Sequence, residues 1–167
     1  SNLQGTTFSL TKGQEHLELQ SQLLGLHQVG PLGAVIAIAH HLGLTNKQIE
    51  AGIAKTKAFD HRLEPKVDAS GIITLDDSYN GNPNGVAAVI RFLGSLKDHR
   101  RFYVTPGLVE MGSRKDEVHE AIGKQLAEAN IEHVILIKNS VTPYIEKGLK
   151  QAGYRGQIIW FDNALAA

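Results

Sequence analysis

The chain has 167 residues, no cysteine, and 17 basic side chains against 17 acidic ones. The balanced charge leaves no basic excess for nucleic acid, and the lack of thiols excludes disulfides, thiolate metal sites and a cysteine nucleophile. No apolar run reaches the roughly 18 residues of a membrane span, and the N-terminus lacks the basic and apolar regions of a secretory signal, which fits the cytoplasm. A hydrophobic content of 42% is ordinary for a chain that buries a core.

In chain order, Thr6–Leu10 and Leu17–Leu24 predict two strands around a Lys12-Gly13-Gln14 turn. Residues Val29 to Leu42 are apolar almost all round, which predicts a buried helix. Gly43 would stop it. Thr45 followed by Gln48 is a capping box for a second helix running through Thr56. Lys57-Ala58-Phe59-Asp60-His61 is a polar connector, expected to act as a hinge. From Arg62 the pattern changes. Strands are predicted near 63–68, 72–76, 101–105, 133–137 and 157–161, and helices near 83–97, 115–130 and 142–152, the last opened by a Thr142 cap and Pro143. Strands alternating with helices imply βαβ units, a mostly parallel sheet and a Rossmann-like doubly wound α/β fold. The expected domains are 1–60, a hairpin plus helices, and 61–167, the Rossmann-like part. Asp162 to Ala167 reads as a helix cut off after one turn.

The densest polar cluster is Asp76-Asp77-Ser78-Tyr79-Asn80-Gly81-Asn82-Pro83. It lies where a predicted strand gives way to a helix, the place where open α/β sheets bind ligands. Asn82 can cap the helix and Pro83 suits its first turn. Asp76, Asp77, Tyr79 and Asn80 are not needed for any cap. Thr105 to Gly112 lies at the end of another predicted strand and faces the same kind of crevice. The histidines, His40-His41 included, show no metal-ligand spacing with partners. No G-x-x-x-x-G-K-[ST] loop occurs in the chain.

The Asp76–Pro83 segment, DDSYNGNP, resembles the DDSYNANP signature of the Mur ligase family, closest to its MurF type. Gly25-Leu26-His27-Gln28-Val29 is similar to the family's G-x-H-N-V, His61-Arg62-Leu63-Glu64-Pro65 to its G-R-x-E-P, and Pro106–Gly112 to its L-G-D-M-x-E-L-G. The four motifs lie in family order, and the resemblance runs from about Thr6 to the end.

The resemblance implies an ATP-dependent ligase that activates a carboxylate as an acyl phosphate and joins it to an amine. Its substrates would be a UDP-MurNAc-peptide and an amino acid or D-alanyl-D-alanine. ATP and Mg2+ would be held mainly by a preceding part of the central ATPase domain, to which residues 1–60 would contribute the tail. The chain alone is therefore expected to be inactive, and the protein to be a monomer.

The resemblance also implies roles for residues, with Arg62 and Asp77 the catalytic pair. Arg62 would reach ATP from the hinge, where its fork geometry suits a phosphate. Asp77 would be the acidic residue at the ATP site, while strand alternation points Asp76 to the opposite face and a structural role. His27, Gln28, Tyr79 and Asn80 would complete the ATP site. Asn82, Pro106, Gly107, Leu108 and Glu110 would lie near the amino substrate, with His119 on a solvated helix-start face. The sequence departs from the family at Gln28 and Pro31, where the family has Asn, and at Leu108, where it has Asp. Rival readings are another ligase of the superfamily, of the folylpolyglutamate synthase or cyanophycin synthetase type, and a non-catalytic nucleotide- or peptide-binding module.

Overall fold

The structure, a computed structural model, describes residues 1–166. The chain divides into two compact units, Ser1–Tyr79 and Asn80–Ala167.

The first unit opens with an antiparallel hairpin of β1 (Thr6–Lys12) and β2 (Glu15–Ser21) in register Phe8↔Leu19 and Leu10↔Leu17. Gly13, at φ 61°, supplies the left-handed turn residue between them. Leu17, Leu19 and Ser21 alternate inward along β2. Against this face pack α1 (Val29–His41) and α2 (Asn46–Ile53), whose Leu32, Ile36, Ile49 and Ile53 complete a small core.

The capping box of α2 is formed as expected. Thr45 accepts from the Gln48 amide while Gln48 Oε1 accepts from Thr45 N at 2.8 Å. The helix ends at Ile53, before Thr56. The expectation of a buried α1 is not met. Only Leu32 and Ile36 are buried, while Val35 and Ile38 are more than half exposed. An all-apolar composition carries no direction, and this unit has only one hairpin face for the helix to lean on.

The two strands after the connector, β3 (Glu64–Val67) and β4 (Ile73–Asp76), form a separate antiparallel hairpin in register Glu64↔Asp76. They do not join the parallel sheet among the described residues. Five residues link them, too few for a parallel crossover. Asp68 closes that turn, its Oδ1 accepting from the Ser70 and Ile72 amides at 2.8 and 3.0 Å.

The second unit is a three-stranded parallel sheet, β5 (Phe102–Thr105), β6 (His133–Ile137) and β7 (Gln157–Phe161), with α3 (Pro83–Ser95), α4 (Lys115–Glu128) and α5 (Thr142–Gln151). Val134 and Leu136 of β6 share a cluster with Val86, Ile90, Val118, Ile122, Leu126, Ile145 and Leu149 from the three helices. This is the α/β, Rossmann-like arrangement that the alternation predicts. Helices α4 and α5 cross at Gly123 and Gly148. A Cβ on Gly123 would stand 2.1 Å from the Ile145 carbonyl oxygen, and one on Gly148 2.0 Å from that of Glu120.

Arg101, before β5, is buried. It donates through Nε and Nη2 to the two Glu132 oxygens at 3.1 and 2.8 Å, and to the carbonyls of Gly94 and Asn130. That fork holds the Glu132 carboxyl down to about 2. The α5 cap differs from expectation. Thr142 lies inside the helix and donates to the Ile137 carbonyl, while Asn139 Oδ1 accepts from the Val141 and Thr142 amides. Asn163 Oδ1 accepts from the Leu165 and Ala166 amides in the same way. No helix is assigned over residues 162–166, and Ala167, the end of the expected helix, lies outside the described residues.

Candidate functional site

In the first unit, the turn after β4 sorts its two carboxylates. Asp76 Oδ2 accepts from His61 Nδ1 and Lys66 Nζ, each at 2.8 Å, and its Oδ1 accepts from the Ser78 hydroxyl at 2.8 Å and amide at 3.2 Å. Lys66 Nζ also stands 3.0 Å from Glu64. The Lys66 and Ser78 hydrogen bonds, with that from His61, hold the Asp76 carboxyl far below the usual carboxylate range. Every acceptor direction of Asp76 is spent within the hairpin and its flanks.

Asp77 meets different surroundings. It is half-buried, and burial pushes its carboxyl up. A hydrogen bond from the Leu63 backbone and the nearby charges of Arg62 and His27 pull the other way. Arg62 lies over the Tyr79 ring, Cζ 4.6 Å from its centroid. Tyr79 itself is exposed, and its amide donates to the His61 carbonyl at 3.2 Å, closing the turn onto the connector. His61 and Leu63 both have φ in the left-handed region, 61° and 52°, flanking Arg62. A connector bent twice in this way places Arg62 beside Asp77 and Tyr79.

The turn Leu26–Gln28 brings His27 to the same cluster. Gly25, at φ 88°, makes room for it, because a Cβ there would stand 2.6 Å from the His27 ring. The Gln28 side-chain amide lies 3.1 Å from His27 Nε2. His27, Arg62, Asp77 and Tyr79 are thus gathered from three separate sequence motifs. They present one carboxylate, a guanidinium, an imidazole and an aromatic face. Such a set can accept from a sugar hydroxyl, neutralise phosphate and stack on a base.

In the second unit, Asn80 has φ 43°, and Asn82 spends its Oδ1 on the Gly85 amide at 2.9 Å as the cap of α3. Gly81 abuts Leu108, whose Cδ2 would be 2.9 Å from a Cβ at that position. Leu108 is buried in the core, so its side chain does not face solvent. Pro106 and Glu110 are exposed, and Gly107 is half-buried at φ 82°.

His119 is fully buried rather than solvated, a correction to the sequence reading. It lies one turn into α4, and its ring fills the space under Gly107. Sequence reasoning also missed Asn139, which joins the loops after β5 and β6 by donating to the Pro106 carbonyl at 2.5 Å. Its signal was available: an Asn three residues before a Thr-Pro helix start is a cap candidate. Among the described residues no group of three or more His, Cys, Asp or Glu could hold a metal ion, and no helix is long and apolar enough to cross a membrane.

The Mur ligase, glutamate ligase domain family matches residues 61–167. The chain is 29% identical over 133 residues to the UDP-N-acetylmuramoyl-tripeptide–D-alanyl-D-alanine ligase of Escherichia coli, covering 80% of this chain and 29% of that protein. It is 25% identical to the Bacillus subtilis ligase of the same name, covering 95% of this chain and 39% of that protein. It thus spans about a third of the length of these relatives. Among solved structures, MurF from Acinetobacter baumannii superposes with a TM-score of 0.81 at 23% identity, over 99% of this chain and 35% of that one. MurC from Thermotoga maritima superposes at 0.65 and 18% identity, over 89% and 33%.

Proposed function

We propose that this chain, which belongs to the Mur ligase family, works as part of a longer ATP-dependent ligase that adds an amino acid or D-alanyl-D-alanine to a UDP-MurNAc-peptide. The observation that carries this reading is the gathering of Arg62, His27 and Tyr79 around the half-buried Asp77 carboxylate. In the reaction, a substrate carboxylate attacks the γ-phosphate of ATP and ADP leaves. The amine then attacks the acyl carbon of the acyl phosphate, the amide bond forms, and phosphate departs with the electrons of the broken C–O bond.

Each residue of the cluster has a task in that scheme. Arg62 contacts the phosphates, and stacking on Tyr79 fixes the plane of its fork. Asp77 acts with Arg62 at the phosphates, its charge beside the guanidinium. His27 and Gln28 line the nucleotide, and Asn80 holds the turn that joins the cluster to α3. Asn82 shapes that turn through its cap, and the Pro106–Glu110 loop serves the amino substrate. Mg2+ is the counter-ion that such phosphoryl transfer requires. Among the described residues no three or more His, Cys, Asp or Glu side chains gather to hold it.

The domain reading is part of the proposal: residues 1–60 complete a central domain, 61–167 form the ligase domain, and Lys57–His61 is the hinge. The exposed, irregular course of Lys57, Phe59, Asp60 and His61 supports a hinge there. A cytoplasmic monomer fits the substrates.

The test is amide formation by the longer ligase, beside phosphate release from ATP by this chain alone. The ligase should form amide with D-alanyl-D-alanine, and the chain alone should stay at the buffer baseline. Turnover by the chain alone that survives repurification would end the reading of it as a part.

A further inference from the structure

Three consecutive residues after β5 are each tied down by a different side chain. Thr105 Oγ1 accepts from the Gly107 amide at 2.9 Å, His119 Nε2 accepts from the Leu108 amide at 2.9 Å, and Asn139 Nδ2 donates to the Pro106 carbonyl. The three come from the end of β5, from α4 and from the loop between β6 and α5. Both side chains are committed on their acceptor side, and His119 has no spare nitrogen in this arrangement. His119 Nδ1 donates to the Lys115 carbonyl at 2.5 Å, so the neutral ring satisfies both nitrogens in a single tautomer. Asn139 Oδ1 is spent on the two amides that open α5.

Gly107 is required twice over. Its φ is 82°, and a Cβ would stand 2.8 Å from His119 Nε2 and 2.7 Å from Val141 Cγ2. Two residues beyond the stapled segment, Glu110 is exposed and held at φ 61°, a conformation that costs a non-glycine residue energy and is kept where surrounding structure imposes it. Besides the stability that such bonds add to the packing of Leu108, three staples fix the orientation of the group the loop carries.

We propose that His119 and Asn139 are positioning residues that fix the Pro106–Leu108 backbone, so that the Glu110 carboxylate meets the cationic amino group of the incoming substrate. The inference rests on the ligase reading above. It adds two residues, outside the recognised motifs, through which affinity for the amine is set.

The test uses conservative replacements. In His119→Gln the amide oxygen reaches the place of Nε2 and can still accept from Leu108. In His119→Asn the side chain reaches only as far as Nδ1, so that acceptor is lost. Asn139→Asp keeps the acceptor for α5 and loses the donor to Pro106. In the ligase that contains this chain, His119→Asn and Asn139→Asp should each raise KM for the amino substrate about tenfold or more, the scale of a misplaced binding group. KM for ATP should stay put, and His119→Gln should restore most of the loss. Amide hydrogen exchange on the 167-residue chain is the second readout: the Leu108 amide should be protected in the parent and in His119→Gln, and fast in His119→Asn. A Leu108 amide that exchanges freely in the parent overturns the proposal, as does a KM for amine that ignores both substitutions or moves in step with KM for ATP. A ligase that forms no amide at all, with Leu108 protected, removes the ligase reading and the role of Glu110 with it.

Discussion

The two compact units bury their apolar residues to different depths. In Asn80–Ala167, three helices and β6 share one cluster, and α4 and α5 approach so closely that only glycine fits at the crossing. In Ser1–Tyr79, a helix of almost wholly apolar composition buries only Leu32 and Ile36 and leaves Val35 and Ile38 to solvent. Hydrophobic composition alone does not decide burial; the number of faces available to pack against does. The difference also separates the roles of the units' polar residues. In the second unit the Arg101–Glu132 fork and the His119 bonds lock structure, whereas the first unit keeps one half-buried carboxylate, Asp77, among groups that can face a ligand.

This contrast can be broken first at the helix crossing. Gly148→Ala puts a methyl group against the Glu120 backbone, which has no side chain to swing away. The expected cost is at the upper end of overpacking, about 3 kcal/mol or more, read by denaturant unfolding. An unchanged midpoint would mean that α4 and α5 do not approach as described. Next is Glu132→Ala, which strands the buried Arg101 guanidinium; the expected loss is on the order of 3 kcal/mol. The pH dependence sharpens that case. The Glu132 carboxyl lies lower in the folded chain than in the unfolded one, about 2 against 4.5. Its contribution is therefore complete above pH 4.5 and is lost as pH falls towards 2. Glu132→Gln should flatten the acid limb of a stability–pH curve in that window, and an unaltered limb would contradict the pairing.

In the first unit, Ile36→Ala should cost about 2–4 kcal/mol because it empties a buried site. Val35→Lys and Ile38→Lys should change the stability of this chain by no more than about 0.5 kcal/mol, since both positions are exposed. If the two lysines destabilise as much as Ile36→Ala, the exposed face of α1 is covered in solution and the contrast between the units disappears.

Much of this was legible beforehand, for reasons that can be named. The α2 capping box, the Asn82 cap and the β/α alternation after Pro83 are local patterns, and local hydrogen bonding decides them. The opposite fates of Asp76 and Asp77 follow from strand alternation, since Asp76 shares its face with Glu64 and Lys66 across the hairpin. Three features were missed. The pairing of β3 with β4 is carried by the five-residue link between them rather than by periodicity. The burial of His119 depends on the glycine that lies over it, 12 residues earlier. The exposure of α1 depends on what else is present to cover it.

The most direct measurement compares the two adjacent carboxylates in the full ligase, by thermal melting and steady-state turnover. Asp76 is held low in the folded state, so its stabilisation is present above the ordinary carboxylate range and fades as pH falls below it; Asp76→Ala should lower the melting temperature at neutral pH. Asp77 is pushed up by burial, so its ionisation works against folding as pH rises; Asp77→Asn should melt no lower than the parent while its turnover falls by a hundredfold or so, the scale of one electrostatic group at a phosphoryl-transfer site. Loss of turnover in Asp76→Ala at an unchanged melting temperature, beside a nearly normal Asp77→Asn, would contradict the account and exchange the roles of the two residues.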